Sequence, residues 1–132
     1  MTGSSGKTEI SVGDRMPDGT IYAGLSPETG KGMYTTRHDA KLTHSFNQAK
    51  DYAAGLDAHG HTDWRVPTKG ELNVLYNNRA AIGGFNVTGL DSAGWYWSSS
   101  ENGAFTVEVQ RFSDGDQYFC ANPNRLSLRC VR

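Results

Sequence analysis

The spacing of apolar residues changes twice along this chain, and each change marks a different kind of element. Thr20–Leu25 and Met33–Thr36 are short β-prone runs, bracketed by Pro17-Asp18-Gly19 and Pro27-Glu28-Thr29-Gly30. Proline presets φ and glycine supplies a left-handed corner, so the clusters read as turns and the runs as an N-terminal β-hairpin. The period then lengthens. Phe46, Ala49, Tyr52, Ala53 and Leu56 recur at helical spacing behind Ser45 and Gln48, the pair that closes a capping box, and Gly60 is the expected stop. A second box, Thr68 with Glu71, opens a helix striped by Leu72, Leu75 and Tyr76, with Pro67 just outside it and Arg79 near its C-terminal end. From Gly83 the period falls to two. Trp95–Ser98, Phe105–Phe112, Asp116–Cys120 and Leu126–Val131 read as strands, with a tight hairpin at Ser113-Asp114-Gly115 and a loop at Asn122-Pro123-Asn124. The order predicts an α+β domain: two helices, a small antiparallel sheet and a C-terminal β-meander.

Length and charge narrow the function classes. A chain of 132 residues suits one domain. At that size roughly two-thirds of the unfolded surface is buried on folding, so neither metal nor disulfide is needed. Thirteen basic and fourteen acidic residues give a net charge of −1, with no dense Lys/Arg stripe, which argues against nucleic-acid binding through bulk charge. No apolar run approaches the length of a membrane span, so no membrane insertion is expected. MTGSSGKTE lacks the charged-then-apolar order of a secretory signal. Residues 1–12 read as a flexible polar leader and 13–132 as a single domain, made in the cytoplasm, with final location, non-standard export and particle association left open. Cys120 and Cys130 are compatible with one disulfide or with two reduced thiols.

Little here points to catalysis. His38, His44, His59 and His61 come without a Cys-x-x-Cys or a His-x-x-x-His, so no metal site is expected, and His61 reads as a turn residue bonding the backbone. No Ser/His/Asp order, paired-acid motif or glycine-rich phosphate loop stands out, so no catalytic residue and no cofactor is nominated.

One stretch is specific. His61-Thr62-Asp63-Trp64-Arg65-Val66-Pro67-Thr68 with Glu71-Leu72, then Tyr96-Trp97-Ser98-Ser99-Ser100-Glu101, Phe112-Ser113-Asp114-Gly115 and Leu128-Arg129-Cys130-Val131-Arg132, resemble the signature blocks of the Lcl C-terminal-like family. The blocks span about residues 20–132. The family takes its name from the C-terminal domain of a bacterial collagen-like adhesin. The resemblance implies a C-type lectin-like fold and kinship with binding domains that retroelements diversify by mutating template adenines. It also implies a distant relation to formylglycine-generating enzymes, in which a cysteine pair handles copper and oxygen. Asn122-Pro123-Asn124 is similar to the Glu-Pro-Asn loop of calcium-dependent lectins, but the matching Trp-Asn-Asp is missing and a plain β-turn is expected.

Physical roles follow for the blocks and for what lies between them. Trp64 is expected to fill the core between the helices, and Arg65 to pair with a carboxylate or with carbonyls of the last strand. Trp95 and Trp97 share one strand face and are assigned to the core, with Tyr96 facing the other way beneath a loop. Val107 and Val109 point inward, which leaves Thr106, Glu108 and Gln110 displayed. The candidate ligand-binding residues are Asn102, Phe105, Glu108, Gln110, Asp116, Tyr118, Phe119, Asn122, Asn124 and Arg125. Tyr118, Phe119 and Phe105 are the anchors, the Asn side chains the adaptable hydrogen-bonding groups. Asn102, Phe105, Tyr118, Phe119, Cys120, Asn122 and Asn124 are compatible with adenine mutagenesis of asparagine codons; Glu108 and Gln110 are not. The expected function is a non-enzymatic binding module for a protein or a cell-surface glycan. The adhesin resemblance suggests sulfated polysaccharide, which the near-neutral charge disfavours, although Arg111, Arg125 and Arg129 can form a local basic patch. A copper oxidase using Cys120 and Cys130, and an assembly component of a fibre or particle, are the alternatives; the oligomeric state is left open.

Overall fold

The structure is a computed structural model that describes residues 9–89 and 91–132; the first eight residues of the expected leader lie outside the described residues. Strands β1 (Ile21–Leu25) and β2 (Gly32–Thr35) form the antiparallel N-terminal hairpin, with a bulge between Tyr22 and Gly24. Helices α1 (Phe46–Gly55), α2 (Lys69–Asn77) and the single turn α3 (Arg79–Ile82) follow. Strands β3 (Trp95–Glu101), β4 (Thr106–Arg111) and β5 (Gln117–Ala121) make an antiparallel meander in that order. The fold is α+β, and no described helix is long and apolar enough to cross a membrane.

Both capping boxes form as the sequence implies. The Ser45 hydroxyl accepts from the Gln48 N–H and the Gln48 side chain accepts from the Ser45 N–H; Thr68 and Glu71 do the same. The stop at Gly60 does not hold. Helix α1 ends at Gly55, and Gly60 (φ 78) with His59 (φ 56) instead forms a tight left-handed corner between Ala58 and His61, whose backbones bond reciprocally.

The expected last strand is the larger departure. Residues 126–131 are extended and fully buried, yet they join no described strand ladder. Leu126 bonds His44, Ser127 bonds β3 between Trp95 and Trp97, Leu128 accepts from Ala40, and Val131 pairs with Arg65 and Thr35. This tail runs between two apolar cores and feeds both. Leu126, Leu128 and Cys130 enter one core with Phe46, Trp64, Trp97, Val107 and Val109. Val131 enters the other with Ile21, Met33, Leu72, Leu75, Tyr96 and Phe112. Strand β3 divides its side chains the same way, Trp97 to the first core and Tyr96 to the second.

Two buried ionic centres lie between these layers. The Glu71 carboxylate has no exposed surface. It accepts both Arg65 guanidinium nitrogens (2.6 and 2.8 Å), the Ser26 hydroxyl (2.6 Å) and the Thr68 N–H (2.9 Å). Burial alone would raise its pKa, but the bonds from Arg65, Ser26 and Thr68 outweigh that and hold it at about 2. Arg129 is also fully buried. It bonds Asp39 (3.0 Å), the Thr36 and Gly83 carbonyls, and lies 4.0 Å over the Phe85 ring. Tyr96 donates to Asp39 and accepts from the Asn86 N–H (2.6 Å). Arg129 therefore leaves the expected basic patch, whereas Tyr96 does pack beneath the loop that carries Phe85, as its strand alternation implied.

Glu71→Ala should cost about 2–3 kcal/mol in urea unfolding, because it gives up the bidentate Arg65 pair and leaves the buried Ser26 hydroxyl and the Thr68 N–H without their acceptor. The acid limb carries a second signature. Glu71 has a folded-state pKa below its ordinary 4.5, so its contribution is complete above that pH and is lost as pH falls toward about 2. Glu71→Gln should lower stability at neutral pH and flatten the stability–pH curve in that window; an unchanged acid limb would contradict this account.

Candidate functional site

The meander places the candidate residues by its register. Val109 lies opposite Tyr118, and Val107 opposite Cys120, so these four share a face with Trp95, Trp97 and Arg111. Helix α1 and the tail cover the Trp97 half of that face. The Trp95 half stays open as a cleft of about 450 Å³, walled by Tyr118, Phe119 and Cys120 on one side and Asn124, Arg125 and Leu126 on the other, with Val109 and Ser92 completing it. Tyr118 is 62% and Phe119 44% exposed. Their rings stack with centroids 4.8 Å apart, although consecutive strand residues start out on opposite faces. Phe119 therefore turns around the sheet edge toward its neighbour.

The rim is pre-positioned. Arg125 donates to the Gln48 Oε1 (3.0 Å) and to the Thr43 carbonyl (2.7 Å), so its guanidinium is held by the α1 cap and meets no carboxylate among the described residues. The Asn124 amide donates to the Cys120 sulfur at 3.1 Å. Arg111 lies over the Trp95 ring at 5.1 Å and is neutralised by Asp114 at 2.7 Å.

Of the ten residues nominated from sequence, Tyr118, Phe119, Asn124 and Arg125 meet at this cleft. Asn102, Phe105 and Asn122 gather at the neighbouring end of the sheet, where the Asn122 N–H bonds the Phe105 carbonyl (2.8 Å) and Phe105 is 75% exposed. Asp116 sits at the opposite hairpin, beside Arg111.

Gln110 and Glu108 are corrections. Gln110 is 1% exposed, its amide donating to Asn73 (2.9 Å) and the Gly115 carbonyl (3.1 Å); Glu108 is largely covered and pairs with Lys69 at 3.4 Å. Helix α2 lies along this face of β4. Residues four apart on a helix are about 6 Å apart and residues two apart on a strand about 6.6 Å, so Lys69 and Asn73 meet Glu108 and Gln110 in step. Tyr76 continues the line onto Phe112, 5.6 Å between ring centroids, and packs so close to Gly115 that a Cβ there would stand 2.5 Å from its ring. The polar face of β4 is an interface, not a display.

Three further expectations resolve. Trp95 is half-buried and lines the cleft instead of joining the core fully, so it is a cleft residue that the sequence reading did not nominate; its place just before the Tyr96–Trp97 block was the available signal. His61 closes a backbone turn with Ala58, as expected, and its ring in addition bonds the Asp18 carboxylate at 2.7 Å, which with the Thr20 amide holds that carboxyl well below its ordinary range. Cys120 and Cys130 are both free, Cys120 half-buried and Cys130 buried. Among the described residues no group of three or more His, Cys, Asp and Glu side chains is arranged to hold a metal.

Residues 25–132 match the family model of the Lcl C-terminal domain, and the chain belongs to that family. No curated protein matches it.

The thiols should differ sharply in reactivity. Cys130 is 2% exposed and burial pushes its thiol up to about 12, so it should react with a thiol reagent only on unfolding, whereas Cys120 should label in the native state. Mass spectrometry of native-state labelling checks this; rapid labelling at Cys130, or a disulfide between the two, would be inconsistent with the structure.

Proposed function

We propose that the chain is a non-enzymatic binding module on a C-type lectin-like scaffold, and that its ligand is a protein or surface glycan held at the Trp95–Tyr118–Phe119 cleft. One observation carries the reading: two stacked, exposed rings line one cleft with a half-buried tryptophan, beside a cation that meets no acidic partner among the described residues. Aromatic faces offer large contact area at small entropic cost and suit both apolar side chains and the C–H faces of sugars. Arg125 and Asn124 add directional donors, and the Gln48 bond spares Arg125 some of the ordering cost of binding.

The division between frame and surface also supports diversification by a retroelement. Asn102, Phe105, Tyr118, Phe119, Cys120, Asn122 and Asn124, the positions compatible with adenine mutagenesis, are all exposed or half-buried. Leu128, Arg129, Cys130 and Val131, in the last signature block, are all buried. A near-copy of the 3′ coding end, differing mainly at adenines and lying beside a reverse transcriptase gene, is the genomic result that this reading requires. The oxidase alternative fits the thiols less well, because copper takes a thiolate and the burial of Cys130 disfavours one.

Binding of the wild-type chain to an array of surface glycans and to intact cells identifies a ligand class. Tyr118→Ala and Phe119→Ala should then each weaken binding by about 2 kcal/mol, roughly thirty-fold, with the fold unchanged by circular dichroism. Full binding by the double variant would remove the cleft from consideration. A copper titration that responds to replacing both cysteines with serine would favour the oxidase instead.

A further inference from the structure

The outer edge of β5 has a pattern of its own. At one end the Arg111 N–H bonds the Asp116 carbonyl (2.9 Å), and at the other the Asn122 N–H bonds the Phe105 carbonyl (2.8 Å). The register between them is unbroken. In an antiparallel ladder the bonded pairs alternate, so Tyr118 and Cys120 turn their backbone groups toward β4. Gln117 and Phe119 turn theirs outward, where no described strand receives them. Ala121 also faces out, but its carbonyl is taken by the Asn124 N–H at 3.1 Å. The edge therefore presents three donors, on Gln117, Phe119 and Ala121, and two acceptors, on Gln117 and Phe119.

One side chain crosses this edge: the Phe119 ring, turned around it to stack on Tyr118, has to return to its own face before another strand can pair, and the other usual protections are absent. Gln117–Ala121 contains no charge and no proline, its pairing with β4 has no bulge, and Tyr118 and Phe119 stand exposed along it. We propose that β5 pairs antiparallel with β5 of a second copy of this chain, about a two-fold axis at Tyr118, to give a continuous six-stranded sheet. Gln117 of each copy exchanges both backbone bonds with Phe119 of the other, which satisfies the outward groups of both residues and leaves the Ala121 N–H at the end of the paired segment. Tyr118 meets its own counterpart across the axis as a close non-bonded pair.

Charge favours this orientation. Antiparallel pairing brings the Asn122–Arg125 turn of one copy against the Asp114–Asp116 turn of the other. The first carries the Arg125 cation; the second carries two carboxylates with Arg111 as their one cationic partner among the described residues, a net negative charge. Each is repeated by the symmetry. A two-fold axis perpendicular to the sheet also keeps both aromatic clefts on the same side, so the dimer presents two sites to one surface and gains avidity from it. The dimer itself is read without any ligand, so its failure is separate from failure of the binding site.

Sedimentation velocity over a dilution series is the test. The wild-type chain should show a monomer–dimer equilibrium that weakens as salt is raised. Gln117→Pro removes an outward N–H from each copy and none from the β4–β5 ladder, so it should keep the monomer's circular dichroism while raising the dimer dissociation constant roughly thirty-fold. Gln117→Lys, which keeps every backbone donor and places a cation on the edge, should do likewise and guards against a folding defect of the proline variant. A monomer at every concentration would overturn the proposal, as would an oligomer of any size that both variants leave intact.

Discussion

The Glu71 carboxylate is the point on which the rest of the molecule hangs. A buried carboxylate without partners would be far too costly to ionise, and here four bonds converge on it from the β1–β2 turn, the strand-like approach to α2 and the α2 cap itself. The consequences propagate through the backbone. Arg65, held by its side chain, pairs its N–H and C=O with Val131, and that fixes the end of the tail. The tail in turn sets Leu128 under Ala40 and Leu126 against His44, so Arg125 emerges at the Gln48 cap and Leu126 forms a wall of the cleft. A carboxylate remote from the candidate site thus determines where its rim stands.

Arg129 does for the opposite side of the tail what Glu71 does for α2. Alternate tail residues enter different cores, and Arg129 falls where an apolar side chain would face the Asp39 carboxylate and two loop carbonyls. The guanidinium satisfies all of these at once and offers its face to Phe85, so loops 36–39 and 83–86 close over β3 around one charge. This explains why signature blocks far apart in sequence belong together. The Trp64–Leu72 block meets the tail through Arg65 and Val131, and meets the Tyr96–Glu101 block through the Ser99 N–H on the Pro67 carbonyl (2.8 Å).

What was legible in the sequence was local. Capping boxes involve residues three apart, so both helix starts could be read directly, and the Ser113–Gly115 turn announced its hairpin for the same reason. What was hidden depended on partners remote in sequence. The tail has strand alternation, but it pairs one or two residues at a time with four other segments, and alternation says nothing of that. Glu108 and Gln110 show the same gap from another side. A polar face on a strand looks like a wet face until a helix supplies Lys69 and Asn73 at matching rise. Tyr118 and Phe119 could be nominated because large rings between the signature blocks suit a contact surface; Trp95 was assigned to the core because it shares a strand face with Trp97.

The same accounting explains why the surface of this fold sits where it does. Both faces of β3 and most of both faces of β4 are consumed by packing, one against α1 and the tail, the other against α2. A side chain there cannot change without creating a cavity or an unpaired buried group, each costing a kilocalorie per mole or more. Among the described strands β5 has one neighbour, and the turn after it is bound through backbone atoms, the Asn122 carbonyl to Phe46 and the Ala121 carbonyl to Asn124. Those bonds are indifferent to which side chain the position carries. The segment from Gln117 to Asn124 is therefore the place where this fold accepts new side chains at least cost, and it is there that the exposed rings are found.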